Sequence, residues 1–192
     1  MTNNRKKYNV ILGSASPRRR QLMEQMGVSF SVARIDYNES KYPAQLQQEE
    51  IAVYLAHEKS KAFGELKDLS LLITADTIVW HNNKVLGKPA DFSDAAQMLT
   101  RLSNQWHEVI TGVCLRSLDK TVCFHDTSRV KFAALSQDEI RHYIETYKPY
   151  DKAGAYGIQE WIGLIGIESV EGSYFNVMGL PTQKLYHYLN QF

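Results

Sequence analysis

The sequence lacks long apolar runs and any strong excess of charge. None of its apolar runs in 192 residues approaches the roughly 20 residues of a membrane span, and the polar start MTNNRKKYN has no apolar core of a signal peptide. We therefore expect a cytoplasmic protein that does not enter a membrane. The formal net charge of +1 argues against a general binder of polyanions. Any basic site must be a local cluster of cations, which suits a small anion better than duplex DNA.

Cysteine and histidine are sparse and badly spaced for chemistry. Cys114 and Cys123 lie in two neighbouring strand-like runs without CxxC or Cys/His spacing, and they are most simply small core residues. The six histidines stand singly, with no HExxH pair. Neither a zinc site nor a Cys–His nucleophile is supported. A metal, if bound, should be a hard cation held by oxygen.

Two common nucleotide-binding motifs are absent as well. The chain contains no GxxxxGK(S/T), which excludes a P-loop enzyme, and no GxGxxG that opens a Rossmann unit. A nucleotide site would have to use another scaffold.

The stretch LGSASPRRRQLMEQMG carries small residues and three arginines where a short strand is expected to become a helix. Pro17 suits the first turn of a helix, and Ser16 is the natural N-cap. Arg18–Arg20 follow in that turn, where the helix dipole disfavours cations, so we expect an anion to compensate them. Backbone N–H groups, the Ser14 and Ser16 hydroxyls and guanidinium groups together predict a phosphate site. The alternative is a solvated basic face at the start of a helix.

Three further charged residues lie at unusual positions. Lys59 falls on the apolar face of a helix predicted over 47–63, where its ammonium either snorkels past the core edge or points into a cleft. Asp76 interrupts an apolar strand pattern, so it is either a capped turn residue or a metal-facing group in a pocket. Lys88 follows a predicted hairpin on the loop Gly87–Pro89, where it could equally be an ordinary loop lysine.

The remaining patterns alternate between strand and helix, which predicts an α/β protein. Ser93 is expected to cap one helix, the capping box of Ser136 and Glu139 begins another, and Pro181 lies at the start of the last. Further strands are predicted over 28–35, 108–115, 121–133 and 162–170. No repeat, linker or low-complexity tract divides the chain, so we expect residues 1–192 to form a single domain.

The segment DKAGAYGIQ, residues 151–159, combines small residues and glycines with a lysine, an aromatic ring and an amide. Its backbone is expected to approach another group closely. A tight packing junction would explain the glycines, whereas Gln159 offers the paired donor and acceptor that suit the edge of a nucleobase.

These clusters together suit phosphoanhydride chemistry. Magnesium needs one or two carboxylates plus substrate oxygens, and cations neutralise the charge that builds on a phosphoryl group. The candidate carboxylates are Glu39 and Asp76, and the candidate cations are Arg18, Arg19, Lys59 and Lys88.

Four motifs then carry a resemblance over nearly the whole chain. LGSASPRRRQLMEQMG, LITADTIV, VLGKP and DKAGAYGIQ with GSYFNVMGLP occur in this order, and the chain resembles the Maf family. The resemblance implies a nucleoside triphosphate pyrophosphatase that releases a nucleoside monophosphate and pyrophosphate, in a family first described as inhibiting septum formation. It also implies a homodimer with a fold similar to inosine triphosphate pyrophosphatases: a central mixed sheet flanked by helices, with a cleft between two lobes.

The same resemblance assigns site residues. The family's SxSPRR motif matches Ser14, Ser16, Arg18 and Arg19, its helix lysine matches Lys59, and its ADT and GKP motifs match Asp76 and Lys88. Its loop glutamate falls on Glu39, with Asp36 as a rival. Thr77 and Gln159 match the subgroup resembling dTTP and UTP pyrophosphatases better than a 7-methyl-GTP subgroup, which favours a pyrimidine base.

The mechanism implied by this resemblance uses Mg²⁺ or Mn²⁺, bound by Asp76 with help from Glu39, and Asp76 as the general base for water attack on the α-phosphorus. Arg18, Arg19, Lys59 and Lys88 would bind phosphates and stabilise the transition state. Two alternatives remain from other classes: a non-catalytic nucleotide-sensing regulator of cell division, and a nucleic-acid-binding module that uses Arg18–Arg20.

Overall fold

The computed structural model describes residues 8–39 and 41–192. Within them, seven strands and seven α-helices follow one another along the chain. The strands are β1 (Asn9–Leu12), β2 (Phe30–Val32), β3 (Ser70–His81), β4 (Lys84–Leu86), β5 (Trp106–Arg116), β6 (Thr121–Phe132) and β7 (Ile167–Glu171). The helices are α1 (Pro17–Gln25), α2 (Gln48–Ala62), α3 (Phe92–Leu102), α4 (Gln137–Tyr147), α5 (Trp161–Gly166), α6 (Tyr174–Met178) and α7 (Thr182–Leu189). A short 3₁₀ turn covers Ala153–Ala155.

The strands form one mixed sheet in the order β2-β1-β3-β5-β6-β7, and β4 pairs with β3 off this path. Strand β1 is parallel to both of its neighbours, with Val10 opposite Phe30 on one side and Leu71 on the other. The β3–β4 and β6–β7 pairs are antiparallel. A mixed sheet with helices between its strands confirms the predicted α/β fold class.

The chain divides into two compact units. The first comprises the described residues of Met1–Asp76 with Thr111–Asp126 and Gly179–Phe192, and the second comprises Thr77–Ile110 with Thr127–Met178. The chain passes from one unit to the other inside β3, β5 and β6, and again after Met178. The prediction that residues 1–192 form a single domain stays a prediction.

In the first unit, helix α2 packs directly against strand β5. A Cβ atom placed on Gly112 would lie 2.2 Å from the carbonyl oxygen of Ala52, so only glycine allows this approach. Leu55 on the same helix face is also buried. Cys114 is buried and Cys123 is half-buried, both are free thiols, and their sulfur atoms are 2.8 Å apart. The prediction of core positions is confirmed for Cys114.

The second unit has a core that includes aromatic side chains. Phe132 packs against the rings of His107 and Tyr156, with centroids 5.4 Å and 4.9 Å away. Burial lowers the pKa of His107 to about 3, so this imidazole is neutral in the folded protein. Its Nε2 lies 2.7 Å from the hydroxyl oxygen of Tyr156.

Two predicted strands differ from the structure. The strand expected over 28–35 is reduced to Phe30–Val32 at the edge of the sheet, where Val32 is largely exposed. The strand expected over 162–170 is wrong in its first half, because Trp161–Gly166 forms helix α5 and only Ile167–Glu171 is a strand. A short apolar run has no periodicity that separates a helix from a strand.

One predicted helix cap is wrong by two residues. Helix α3 is capped by Asp91, whose carboxylate accepts a hydrogen bond from the Asp94 N–H at 2.9 Å, and not by Ser93. Both residue types favour the N-cap position, so the sequence did not discriminate between them. The capping box of Ser136 and Glu139 is confirmed. None of the helices in the described part of the chain has the length and apolar character needed to cross a membrane.

Candidate active site

The loop between β1 and α1 places two hydroxyls against Arg19, one at its guanidinium and one at its backbone N–H. Ser16 caps helix α1, because its extended backbone precedes Pro17 and its hydroxyl accepts a hydrogen bond from the Arg19 N–H at 3.5 Å. The Ser14 hydroxyl accepts hydrogen bonds from the Ser16 N–H at 3.2 Å and from Arg19 Nη1 at 3.3 Å. The structure therefore brings Ser14, Ser16 and Arg19 together at a helix N-terminus, where anions are stabilised.

A second nitrogen of the Arg19 guanidinium is held by a residue that the sequence did not single out for this role. Its Nε donates a hydrogen bond to the carbonyl oxygen of Gly179 at 2.8 Å, although 160 positions separate the two residues. Burial lowers the pKa of Arg19, and the negative charges of Asp76 and Glu39 oppose this shift. A guanidinium this buried is costly unless anions lie nearby. Gly179 acts through its backbone, so no side-chain pattern could have revealed it.

The three neighbouring arginines have different surroundings. Arg20 is exposed, and its Nε lies 2.9 Å from Glu24 Oε1 one helical turn further on. This i,i+4 partner supplies the anion that Arg20 needs, so Arg20 is a surface charge. Arg18 is half-buried and Arg19 is buried.

A second cluster is built around Lys59. The Thr74 hydroxyl donates to the carbonyl oxygen of Ala56 at 2.7 Å, which fixes helix α2 on strand β3. Lys59 follows Ala56 by three residues and lies on the same buried face. Its ammonium is 2.5 Å from Glu39 Oε1 and 3.0 Å from Asp76 Oδ1. Lys59 thus does not snorkel to solvent but joins the buried carboxylate of Asp76 to the partly exposed carboxylate of Glu39.

Asp76 lies within an unbroken strand rather than at a turn. Strand β3 continues from Ser70 to His81, and the Asp76 side chain is only 7% exposed. Burial raises the pKa of Asp76; the ammonium of Lys59 opposes this shift, and the charge of Glu39 adds to it. The sequence alternative of a capped turn residue is therefore wrong.

Of the two acidic loop residues, Glu39 is the one that reaches the cluster. It lies in the loop that follows β2 and contacts Lys59, whereas Asp36 in the same loop is exposed. The structure describes Glu39 but not the next residue of this loop. Glu39, Lys59, Asp76 and Arg19 all belong to the first unit.

Three candidate residues belong to the second unit. Thr77 is half-buried in β3, Lys88 is exposed on the loop after β4, and Gln159 is exposed in a turn before α5. The loops that carry the last two residues are joined, because the Gly154 N–H donates to the carbonyl oxygen of Gly87 at 3.0 Å. The roles of Thr77, Lys88 and Gln159 stay predictions.

The glycines of the DKAGAYGIQ segment serve close packing. Gly154 has a φ of 67°, and a Cβ atom there would lie 2.9 Å from a methyl carbon of Val79. A side chain at this position would meet both backbone strain and a clash. The predicted packing junction is therefore present within the second unit.

The carboxylates fit a hard cation that binds together with phosphate. Among residues 8–39 and 41–192, no group of three or more His, Cys, Asp or Glu side chains is arranged to hold a metal ion. Glu39 and Asp76 are two oxygen donors that lie against the same ammonium. Magnesium commonly takes one or two carboxylates and completes its coordination with water and phosphate oxygens. This donor set suits magnesium or manganese and does not suit zinc.

Comparison with known proteins places the fold and the family. Over 96% of this chain, the fold is similar to the whole chain of a HAM1 protein from Coxiella burnetii, with a TM-score of 0.52 and 13% sequence identity. A curated dTTP/UTP pyrophosphatase of Bacteroides fragilis is 50% identical over the full length of both chains. The dTTP/UTP pyrophosphatase of Flavobacterium johnsoniae is 52% identical, over 96% of this chain and 95% of that protein.

A third relative extends the same pattern. The dTTP/UTP pyrophosphatase of Porphyromonas gingivalis is 48% identical over the whole of this chain and 98% of its own length. Residues 9–192 match the family described as Maf-like protein. The matched range includes both site clusters of the first unit. From these matches and the ordered motifs, the chain belongs to the Maf family.

Proposed function

We propose that the protein hydrolyses dTTP and UTP to the nucleoside monophosphate and pyrophosphate. The observation that carries this proposal is the buried Lys59, which joins the carboxylates of Glu39 and Asp76 in the unit that also buries Arg19. In such an arrangement the carboxylates can bind a metal cation and accept a proton, and the lysine and arginine side chains can bind a polyphosphate. The relatives named dTTP/UTP pyrophosphatase support the same activity.

The start of helix α1 is proposed to bind the triphosphate. Ser14 and Ser16 offer hydroxyls, while Arg18 and Arg19 offer guanidinium groups at a terminus where anions are favoured. The contacts of Arg19 with Ser14 and the Gly179 carbonyl hold its side chain in position before the substrate arrives. Little side-chain ordering then remains to be done on binding.

Asp76 is proposed as the general base. It takes a proton from the water whose oxygen attacks the α-phosphorus, and the bond from this phosphorus to the bridging oxygen breaks. Pyrophosphate leaves with the electron pair of that bond. Lys59 and Lys88 stabilise the negative charge that develops on the phosphoryl and leaving groups.

Asp76 and Glu39 are the residues proposed to hold Mg²⁺ or Mn²⁺. When bound, the cation would neutralise triphosphate charge and polarise a phosphoryl oxygen. Both carboxylates accept a hydrogen bond from the Lys59 ammonium, so Lys59 keeps these two oxygen donors in the same cluster.

Thr77 and Gln159 are proposed to contact the base. The Gln159 side chain is exposed in its turn, and an amide offers the donor and the acceptor that a pyrimidine edge requires. A site built to hydrogen-bond one base edge rejects a base that leaves those groups unpaired.

A substrate screen tests this proposal and its alternatives. Pyrophosphate release would be measured with dTTP, UTP, CTP, GTP and 7-methyl-GTP, each with Mg²⁺ and with Mn²⁺. We expect dTTP and UTP to be preferred by at least about tenfold in kcat/KM. Preference for 7-methyl-GTP would contradict the pyrimidine assignment, and nucleotide binding without turnover would support a sensor instead.

We further propose that the protein acts in the cytoplasm as a homodimer, as the family resemblance implies. Light scattering after size-exclusion chromatography tests the second point. A mass of twice 22.0 kDa is expected, and a monomer at micromolar concentration would contradict it. Fractionation of cells tests the location.

A further inference from the structure

Gln159 occupies the third position of a tight turn formed by residues 157–160. The turn is closed by a hydrogen bond from the Glu160 N–H to the carbonyl oxygen of Gly157 at 3.0 Å. The Gln159 side chain folds back over the start of this turn, because a Cβ atom on Gly157 would lie 3.0 Å from Gln159 Nε2. The direction of the amide therefore depends on the geometry of the turn.

A single hydroxyl group is bonded to both ends of this turn. Tyr143 of helix α4 is fully buried. Its oxygen accepts a hydrogen bond from the Gly157 N–H at 3.0 Å, and its O–H donates to Glu160 Oε2. Burial raises the pKa of Tyr143, so the hydroxyl stays protonated and can donate this hydrogen bond.

The carboxylate of Glu160 is held from its other side by a buried lysine. Lys152 Nζ lies 3.1 Å from Glu160 Oε1 and 2.7 Å from Asp151 Oδ1. The Lys152 side chain is 8% exposed and that of Glu160 is 18% exposed. The charges of these side chains offset each other in a setting where a lone charge would be costly. Lys152 is the second residue of the segment 151–159, and Glu160 directly follows the end of that segment.

We propose that Tyr143, Lys152 and Glu160 are positioning residues that fix the turn at residues 157–160, and through it the Gln159 amide that selects the base. The inference rests on the base contact assigned to Gln159 in the proposed function. It adds three specificity-determining residues that need not touch the nucleotide.

The test compares Tyr143→Phe with Tyr147→Phe, a matched control at an exposed position one turn later on α4. The probes are dTTP, GTP and inorganic tripolyphosphate, which is used as a competitive inhibitor without a base. For Tyr143→Phe we expect the KM for dTTP to rise about fivefold, since one buried hydrogen-bonding group is lost. We expect kcat and the inhibition constant of tripolyphosphate to stay within about twofold.

The ratio of kcat/KM for dTTP over GTP should fall by the same factor of about five. Gln159→Ala should lower this ratio on its own, and adding Tyr143→Phe to Gln159→Ala should lower it no further. Glu160→Gln provides a second variant that retains an oxygen acceptor for Tyr143 but loses the charge facing Lys152, and it should shift the ratio in the same direction.

Each contrary outcome identifies what fails. A rise in the tripolyphosphate inhibition constant equal to the rise in KM would show general damage to the site and overturn the positioning role. Selectivity lost in Gln159→Ala but unchanged in both Tyr143→Phe and Glu160→Gln would overturn the inference and leave the base contact intact. An unchanged ratio in Gln159→Ala would overturn the base contact of the proposed function, and this inference with it.

Discussion

Lys59 and Asp76 form a buried ion pair in which Nζ lies 3.0 Å from Oδ1 and neither side chain is more than 7% exposed. Helix α2 supplies the lysine and strand β3 supplies the aspartate. Glu39 adds a second carboxylate to the same ammonium. The same ion pair is therefore part of the core of the first unit and part of the proposed catalytic site.

Replacing Lys59 with methionine should reduce both stability and activity, because two carboxylates then lack their shared cation. We expect a loss of about 3 kcal/mol in the free energy of unfolding and a fall in kcat of at least about 100-fold. Urea unfolding and pyrophosphate release measure the two effects. Lys61→Met on the same helix removes an exposed lysine paired with Glu58 and should change both quantities little. Equal effects at the two positions would contradict the role of Lys59 as the shared partner of Glu39 and Asp76.

The arginines of helix α1 should differ in their contributions to activity. Arg20→Ala removes an exposed pair with Glu24 and should change kcat/KM for dTTP by less than about twofold. Arg18→Ala and Arg19→Ala should each lower it by at least about tenfold, since a charged hydrogen-bond donor to phosphate is lost. Steady-state kinetics of the three variants makes the comparison, and equal losses at all three positions would refute it.

Gly112→Ala should destabilise the first unit. The added methyl group would meet the Ala52 carbonyl oxygen at 2.2 Å, so α2 and β5 must move apart. We expect a loss of about 1–3 kcal/mol in urea unfolding. Gly87→Ala is the control, because a Cβ atom there has no neighbour within 4 Å. Unchanged stability of Gly112→Ala would show that the two elements are not in close contact.

Stability should fall as the pH is lowered through the histidine range, in part through His107. Burial lowers the pKa of this imidazole from its ordinary value of 6.5 to about 3 in the folded protein, so the unfolded chain binds more protons than the folded protein between these limits. The contribution is complete above pH 6.5 and declines toward pH 3. Between pH 7 and pH 5, His107→Gln should lose about 2 kcal/mol less stability than the wild type. Urea unfolding at pH 7 and pH 5 measures this difference. If the wild type and His107→Gln lost the same free energy of unfolding between these pH values, His107 would have no such role.

The site clusters could be predicted where a charge conflicts with its local pattern. Lys59 on an apolar helix face and Asp76 in an apolar strand both require a partner, and the structure shows that each is the partner of the other. Ser16 and Pro17 likewise identify the start of α1 through local rules alone. Such conflicts are visible without knowledge of the fold.

Other features depend on contacts between distant parts of the chain. The Gly179 carbonyl that holds Arg19 carries no side-chain signal. The link from Tyr143 to Glu160 joins a helix to a turn that periodicity cannot pair. The apolar run 162–170 predicts one strand, because only packing, here the exposure of Leu164 and the burial of Ile162, separates the helix from the strand. The strand order also could not be derived from local patterns.

The most direct test follows dTTP hydrolysis by ³¹P NMR in ¹⁸O-labelled water with Mg²⁺ or Mn²⁺, comparing the wild type with Asp76→Asn. The account predicts dTMP and pyrophosphate from the wild type, with the label on the dTMP phosphorus. It also predicts a rate for Asp76→Asn that is lower by at least about 100-fold. Hydrolysis by Asp76→Asn at the wild-type rate, or label in the pyrophosphate, would contradict it.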